Sequence, residues 1–388
     1  MDRKLFQNRI PGELIQITFP RKDWAFIPAP LPPVWEFDNS LWPMIAEARE
    51  ALGTLNGIGQ TLPDPQLLLR PLQAREAIAS SSIEGTFVTP QELLAYELEP
   101  SEPNSKSEKR ADWQEVNNYQ RALESGCEML SQVGFSNHLI RSMHSILMQG
   151  VRGVDKSPGE FRRGQVQIGS SGRFIPPPPE HVVALMDQLI QFTKQTDDEL
   201  DPLIKSFLIH YQFETIHPFS DGNGRVGRAL LALMVYHWHR HAHPWLYLSA
   251  FFERYKDEYI DNLFKVSTTG NWTEWLTFCL HGTIAQAKDS ILRCNLFRSL
   301  KERFHSRVTK PSKRTHKLIE SLFKKPILTI PSVAAQFNVS YPTAKREIEL
   351  LVQLGILQEI KFSYPQLYTT PEIMRIAYSD HPSATSSS

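Results

Sequence analysis

The chain has 388 residues, of which 41% are hydrophobic and 10% aromatic, enough to bury a core and to form two or three domains. Its forty-two basic and forty-two acidic side chains cancel, so any nucleic-acid contact must rest on a local basic patch. Cys127, Cys279 and Cys294 are odd in number and far apart, against a disulfide framework or a CxxC metal site. The N-terminus lacks a secretory signal's apolar core, and no run of about 20 apolar residues spans a membrane. A cytoplasmic protein is the expectation.

Residues 1–45, rich in proline and aromatics (FIPAPLPPVWEF), read as an extended arm. Helical periodicity begins near Trp42 and runs through IAEAREALGTL, PQLLLRPLQAREAIASSSIEG and TPQELLAYELE. The apolar-poor stretch 100–110 (PSEPNSKSEKR) reads as a linker, after which WQEVNNYQRALESGCEML and HLIRSMHSILMQGV are helical again. QVQI and RFI flank a GSSG turn and predict a β-hairpin over Gly164–Phe174. Helices return from VVALMDQLIQFTKQ through NWTEWLTFCLHGTIAQAK. Near residue 300 the composition shifts: Lys301–Lys325 holds nine Lys/Arg against two Glu. Two short helical patterns split by FNVS follow, then a strand-like pair, ILQEI and QLYTT, the pattern of a winged helix-turn-helix.

Chemistry concentrates in HPFSDGNGRVGR, residues 217–228. FLIHYQF precedes it and ALLALMV follows, so it joins two helices. Gly222-Asn223-Gly224 permits positive φ and lets backbone N–H groups converge, while a helix starting near Arg225 aims its positive dipole end at the same point. That describes an anion site, and Arg225 and Arg228 are spaced to fork two sets of phosphate oxygens. Asp221 in such a nest suits Mg²⁺, which bridges carboxylate and phosphate oxygens. His217, as a neutral imidazole, suits a general base. Phe219 reads as a core anchor. The sum predicts phosphoryl or nucleotidyl transfer.

HPFSDGNGRVGR resembles the HxFx(D/E)GNGRxxR signature of the Fic family at every defined position. The resemblance extends to GEFRRGQVQIG, PPPPEHV and LYLS. It implies a mainly α fold: a Fic helical bundle with a β-hairpin flap, carrying here a C-terminal winged helix-turn-helix. The implied division is 1–110 for an N-terminal arm and helical region, 111–295 for the Fic core and 300–378 for the winged-helix-like unit. Family members typically transfer AMP from ATP to a Ser, Thr or Tyr hydroxyl of a target protein. By resemblance His217 is the base and Asp221 holds Mg²⁺ on the phosphates. Gly222, Asn223, Gly224, Arg225, Val226 and Gly227 cradle the nucleotide, and Arg228 meets the γ-phosphate.

SSSIEG (80–85) follows a helical run, and Gly85 is a natural residue just past a helix end. Glu84 thus meets the negative end of the dipole, at a cost of about 0.3–1 kcal/mol. The segment resembles the (S/T)xxxE(G/N) inhibitory motif of Fic proteins, with Ser80 and Glu84 in the defined positions. In that class the glutamate pairs with the second arginine, here Arg228, and obstructs productive γ-phosphate placement; in some members it also supports removal of AMP.

The resemblance makes Gly164–Phe174 the flap that holds a target segment by strand addition, with Val166, Gln167, Ile168 and Gly169 on the adenine side. Tyr259 and Ile260 fall where relatives often carry a Tyr-Tyr pair against the adenine, and Ile260 departs from that pattern. HWHRHAH (237–243) lacks an accompanying carboxylate or cysteine and reads as a helix-end histidine cluster; His144 and His210 read as core residues. The leading expectation is an autoinhibited protein adenylyltransferase; the alternative is a nucleotide-sensing DNA-binding regulator using the basic stretch 301–325 with Lys345 and Arg346. A protein contact through the C-terminal unit and a homodimer stay open, and no membrane partner is expected.

Overall fold

The computed structural model describes residues 1–388 except 8–9, 19, 61–64, 99–107, 151–156, 170–171, 196–199, 309–311, 362, 364 and 381–388. Most of the linker read over 100–110, the two central residues of the GSSG turn and the serine-rich tail lie outside the described residues.

After a short 3-10 turn (Arg3–Leu5) come two strands, β1 (Gly12–Ile17) and β2 (Asp23–Pro28), paired antiparallel from Gly12–Pro28 to Ile17–Asp23. The extended arm is therefore a hairpin. GELIQI and DWAFIP supply the β-favouring side chains, and the proline-rich run begins only where β2 ends. Among the described residues the helices that follow are α1 (Leu41–Gln60), α2 (Gln66–Ile83), α3 (Pro90–Leu98), α4 (Glu108–Val133), α5 (Asn137–Leu147), α6 (Pro179–Lys194), α7 (Pro202–Ile216), α8 (Asn223–Trp238), α9 (Ser249–Arg254), α10 (Lys256–Thr269) and α11 (Trp272–Arg307). The C-terminal unit consists of α12 (Lys313–Lys324), β3 (Ile327–Leu328), α13 (Ile330–Phe337), α14 (Tyr341–Gln353), β4 (Gln358–Ile360), β5 (Leu367–Thr369) and α15 (Pro371–Tyr378). Its sheet order is β3-β5-β4, antiparallel, and Asn338 at φ 50° makes the turn between α13 and α14.

α7 explains why the site can be rigid. All of its residues except Pro202 and Glu214 are buried, so it is enclosed on every side and stands at the centre of the bundle. Phe207 and Phe213 on α7, and Phe219 in the loop after it, are fully buried and contribute about 1.5–3 kcal/mol each. α8 packs on α7, α4, α5 and α2, so the loop between α7 and α8 is held at both ends by core helices. α11 runs unbroken through the composition shift near residue 300 and touches α1, α7, α12 and α15. Among the described residues no helix is long and apolar enough to cross a membrane.

The flap forms in minimal form, as one antiparallel bridge between Ile168 and Phe174 with N–H to O distances of 2.9 and 3.3 Å. Its return strand is anchored twice: Phe26 N–H of β2 donates to the Ile175 carbonyl at 2.9 Å, and the Arg173 guanidinium pairs with Asp261 at 2.7 Å.

Candidate active site

α7 ends at His217, whose backbone is left-handed (φ 51°, ψ 61°) and turns the chain out of the helix. Its Nδ1 faces the Glu214 carbonyl at 3.3 Å. A carbonyl only accepts, so Nδ1 carries the proton and Nε2 presents a lone pair. Burial, aided by the Arg162 cation, lowers the imidazole to about 4 against the pull of the Glu214 carbonyl and the Glu84 and Asp221 carboxylates. At neutral pH His217 is thus an uncharged base.

The turn is locked by Asn223, whose Oδ1 accepts the Phe219 N–H and whose Nδ2 donates to the Phe219 carbonyl, both at 2.8 Å. Gly222 takes φ 74° and α8 starts at Asn223, two residues before the start expected from sequence. No side chain caps α8, so its first-turn N–H groups form the nest. Asp221 Oδ1 accepts the Gly222 N–H at 2.7 Å.

Both arginines are buried and both meet carboxylates. Arg225 Nη1 lies 3.2 Å from Glu115 Oε2 on α4, with Asp221 Oδ1 at 3.8 Å from Nη2; its buried Nε has no partner among the described residues. Arg228 donates from Nε to Ser80 Oγ at 2.9 Å, and from Nη2 to the Ser80 carbonyl at 2.8 Å and Glu84 Oε1 at 2.7 Å. Burial alone would raise the Glu84 carboxyl; the Arg228 and Arg225 cations override it, and Glu84 titrates below an ordinary glutamate. A methyl added at Gly224 would stand 2.3 Å from Glu84 Oε1, so the carboxylate lies on the first turn of α8. A carboxylate therefore occupies the mouth of the anion nest.

His217, Asp221, Arg225, Arg228, Ser80 and Glu84 thus converge on one loop. Val226 is a buried core residue, and Gly227 packs on α7 with its carbonyl 3.2 Å from His210 Nδ1. Tyr259 is buried behind Arg228, stacked on Phe252 at 4.4 Å with its hydroxyl 2.9 Å from His210 Nε2, so its ring face is already taken. Ile260 is exposed. Of Val166, Gln167, Ile168 and Gly169, Ile168 makes the bridge to Phe174 and Gly169 (φ 84°) opens the turn.

Four contributing residues have no role at the site from sequence, which reads His144 among them only as a core residue. Arg162, buried, donates to the carbonyls of His217 (2.8 Å), Pro177 (2.5 Å) and Gly164 (3.1 Å), tying base and flap together. His144 accepts the Gly159 N–H at Nδ1, so Nε2 donates to the Asp221 carbonyl at 3.1 Å, and its ring stacks on Phe219 at 3.8 Å. Glu115 receives Arg225. Burial pushes Glu214 up to about 7, and its Oε1 has no partner among the described residues. Arg162 is the first arginine of GEFRRG, Glu115 stands in WQEVNNYQRALESGCEML, His144 in HLIRSMHSILMQGV, and Glu214 directly follows FLIHYQF.

His144 and His210, at 1% and 0% exposure, are lowered by burial to about 4 and about 3. An unfolded histidine titrates near 6.5, so below that pH the unfolded chain binds protons that the folded chain refuses, and stability falls with falling pH. At about 1.4 kcal/mol per pKa unit, each removes a few kcal/mol by about pH 4. The unfolding midpoint of the full chain should drop between pH 7 and 5, and less steeply in His210→Gln; equal midpoints across that range would contradict it.

The fold and loop define a helical protein with an anion nest between two core helices and a neutral histidine at its mouth. Residues 42–128 match the model of the Fic/DOC family N-terminal region and residues 134–235 that of the Fic/DOC family. Residues 42–128 and 134–235 thus carry the two Fic/DOC family domains. It is 40% identical over 81 residues to protein adenylyltransferase fic-1 of Caenorhabditis elegans, covering 20% of this chain and 15% of that one. A probable protein adenylyltransferase of Aquifex aeolicus is 40% identical over 79 residues, 20% of this chain and 24% of the relative. The match thus spans a quarter or less of these relatives' length. A crystal structure of a Fic family protein from Desulfovibrio desulfuricans aligns with TM-score 0.55 at 21% identity over 87% of this chain and 98% of that one. Residues 134–508 of C. elegans Fic-1 align with TM-score 0.51 at 21% identity over 65% of this chain and 73% of that one. At these identities the likeness is one of fold.

Proposed function

We propose that this protein is an autoinhibited protein adenylyltransferase, transferring AMP from ATP to a Ser, Thr or Tyr hydroxyl of a target protein or of itself. The carrying observation is a neutral His217 with its Nε2 lone pair free, beside an uncapped helix N-terminus and two buried arginines. His217 Nε2 takes the hydroxyl proton; the oxygen bonds to the α-phosphorus as the bond to the β-phosphate bridging oxygen breaks, and pyrophosphate leaves. His217 is held for this by Arg162 and by its bond to the Glu214 carbonyl. The names of the relatives support the reading.

Mg²⁺ fits the residues present. Among the described residues no cluster of three metal-ligating side chains exists, and a nucleotide-bound Mg²⁺ asks for only one or two carboxylates, the rest being phosphate and water. Asp221 is the carboxylate that would hold it, its backbone pinned by His144. When bound, the ion neutralises charge on the phosphate oxygens. Glu84, seated on Arg228 and Gly224, obstructs the γ-phosphate; the same carboxylate placed near the phosphates also makes AMP removal a reaction to assay.

The target segment adds to the flap at the Gln165–Ile168 edge, since β2 already lies against the return strand at Ile175. The C-terminal unit is read as a winged helix-turn-helix, and α14 turns exposed Tyr341, Lys345 and Arg346 outward. That favours a second reading, a nucleotide-sensing regulator that contacts DNA. Binding to random duplex DNA that weakens steeply with salt would support it.

Incubation with α-labelled ATP and Mg²⁺ tests the main reading. Label should enter protein, EDTA should abolish it, and Asp221→Ala should match the EDTA loss. Label transfer that survives thorough chelation would remove Asp221 from the metal's place, and label absent even after Glu84→Gly would overturn the activity.

A further inference from the structure

We propose that Lys256, outside both sequence motifs, is the positioning residue that seats the inhibitory carboxylate; the inference rests on the reading of Glu84 as inhibitory. α2 ends at Ile83, immediately before Glu84, and the last carbonyls of a helix have no partner within it. Lys256 Nζ donates to the Ile83 carbonyl at 2.6 Å. A cation at this end also meets the negative pole of the helix dipole. One residue earlier, Ser82 Oγ donates to Glu253 Oε1 at 2.9 Å. Two side chains from the α9–α10 corner thus grip the two residues before Glu84.

The grip is needed because the carboxylate alone is a weak latch. The Glu84 side chain is 39% exposed and makes one bond to Arg228, and ion pairs with an exposed partner hold poorly. Beyond it the chain turns away at Gly85 (φ 91°). What keeps Glu84 on Arg228 is therefore where its backbone stands: Arg228 holds it at Ser80, one turn back, and Lys256 fixes it at Ile83, the adjoining residue. The anchor is firm: Lys256 opens α10, and Tyr259 three residues on is buried on Phe252 and bonded to His210. Lys256 bonds the segment's backbone and not the loop 217–228, so its loss should free Glu84 while leaving base and nest in place.

The test uses the full chain with α-labelled ATP, together with hydrogen exchange of the backbone amides. Lys256→Met should raise label incorporation about three- to tenfold, the scale of one charge-assisted hydrogen bond partly replaced by water, and lower KM for ATP. Exchange should quicken over residues 80–86 and stay unchanged over 217–228. Lys256→Arg should keep the low activity, Ser82→Ala should give a smaller rise, and Lys256→Met added to Glu84→Gly should give no further gain. A rise in Glu84→Gly without one in Lys256→Met, or gains that add in the double variant, would overturn the inference alone. No rise in Glu84→Gly would overturn the inhibitory reading and the inference with it.

Discussion

Glu84→Gly should raise incorporation of label from ATP about ten- to a hundredfold. The reason is competition for one guanidinium. Arg228 is buried, with Nε held by Ser80 Oγ and Nη2 by the Ser80 carbonyl and Glu84 Oε1, so its Nε–Nη2 edge is not open to a phosphate. The carboxylate also lies on Gly224, at the nest's mouth, so it excludes phosphate by volume and by charge. Holding 99 molecules in 100 blocked takes about 2.7 kcal/mol, within reach of the pair and its backbone anchor together. Arg228→Ala added to Glu84→Gly should cancel the gain, because the freed guanidinium is what the γ-phosphate uses. The measurement is label transfer at a fixed ATP concentration for wild type, single and double variants. An unaltered rate in Glu84→Gly would mean that this carboxylate does not limit the enzyme.

His217→Ala in the Glu84→Gly background should lose about 10²–10⁴-fold in label transfer, the usual contribution of a positioned general base. Nucleotide binding should stay close to normal, since the phosphates meet the α8 N-terminus and the arginines rather than the imidazole. Single-turnover transfer and calorimetric ATP binding on the same sample separate the two effects. Near-normal turnover would assign the base elsewhere, and Glu214, with its carboxyl raised to about 7 by burial, would then be the group to replace. The acid limb of the pH–rate profile should fall near 4 rather than 6.5, because burial keeps His217 uncharged well below the ordinary histidine range.

The chemistry of residues 217–228 was legible because it is local. A left-handed glycine, an asparagine locking its own turn and a helix N-terminus need only neighbours within a few positions, so their order in the chain already specifies the nest. Helix content was legible for a similar reason, periodicity being a property of short windows. The N-terminal hairpin was not, because β1 and β2 stabilise each other across a turn and the prolines beyond Pro28 dominated the composition of that stretch. Nor was the outward position of Ile260 or the burial of Tyr259, since which side of α10 faces the core depends on Phe252 and His210 from other helices.

Tertiary structure alone decided how the loop is held and closed. Arg225 meets Glu115 110 residues earlier, Arg228 meets Glu84 144 earlier, and Lys256 reaches Ile83 173 earlier. No spacing rule connects such positions. By itself the sequence pointed to a base, a nest and two arginines, and by resemblance to an inhibitory glutamate. That the glutamate rests on Gly224, and that a lysine from α10 holds it there, followed only from packing α2 against α8 and α9, which brings distant charges within bonding distance.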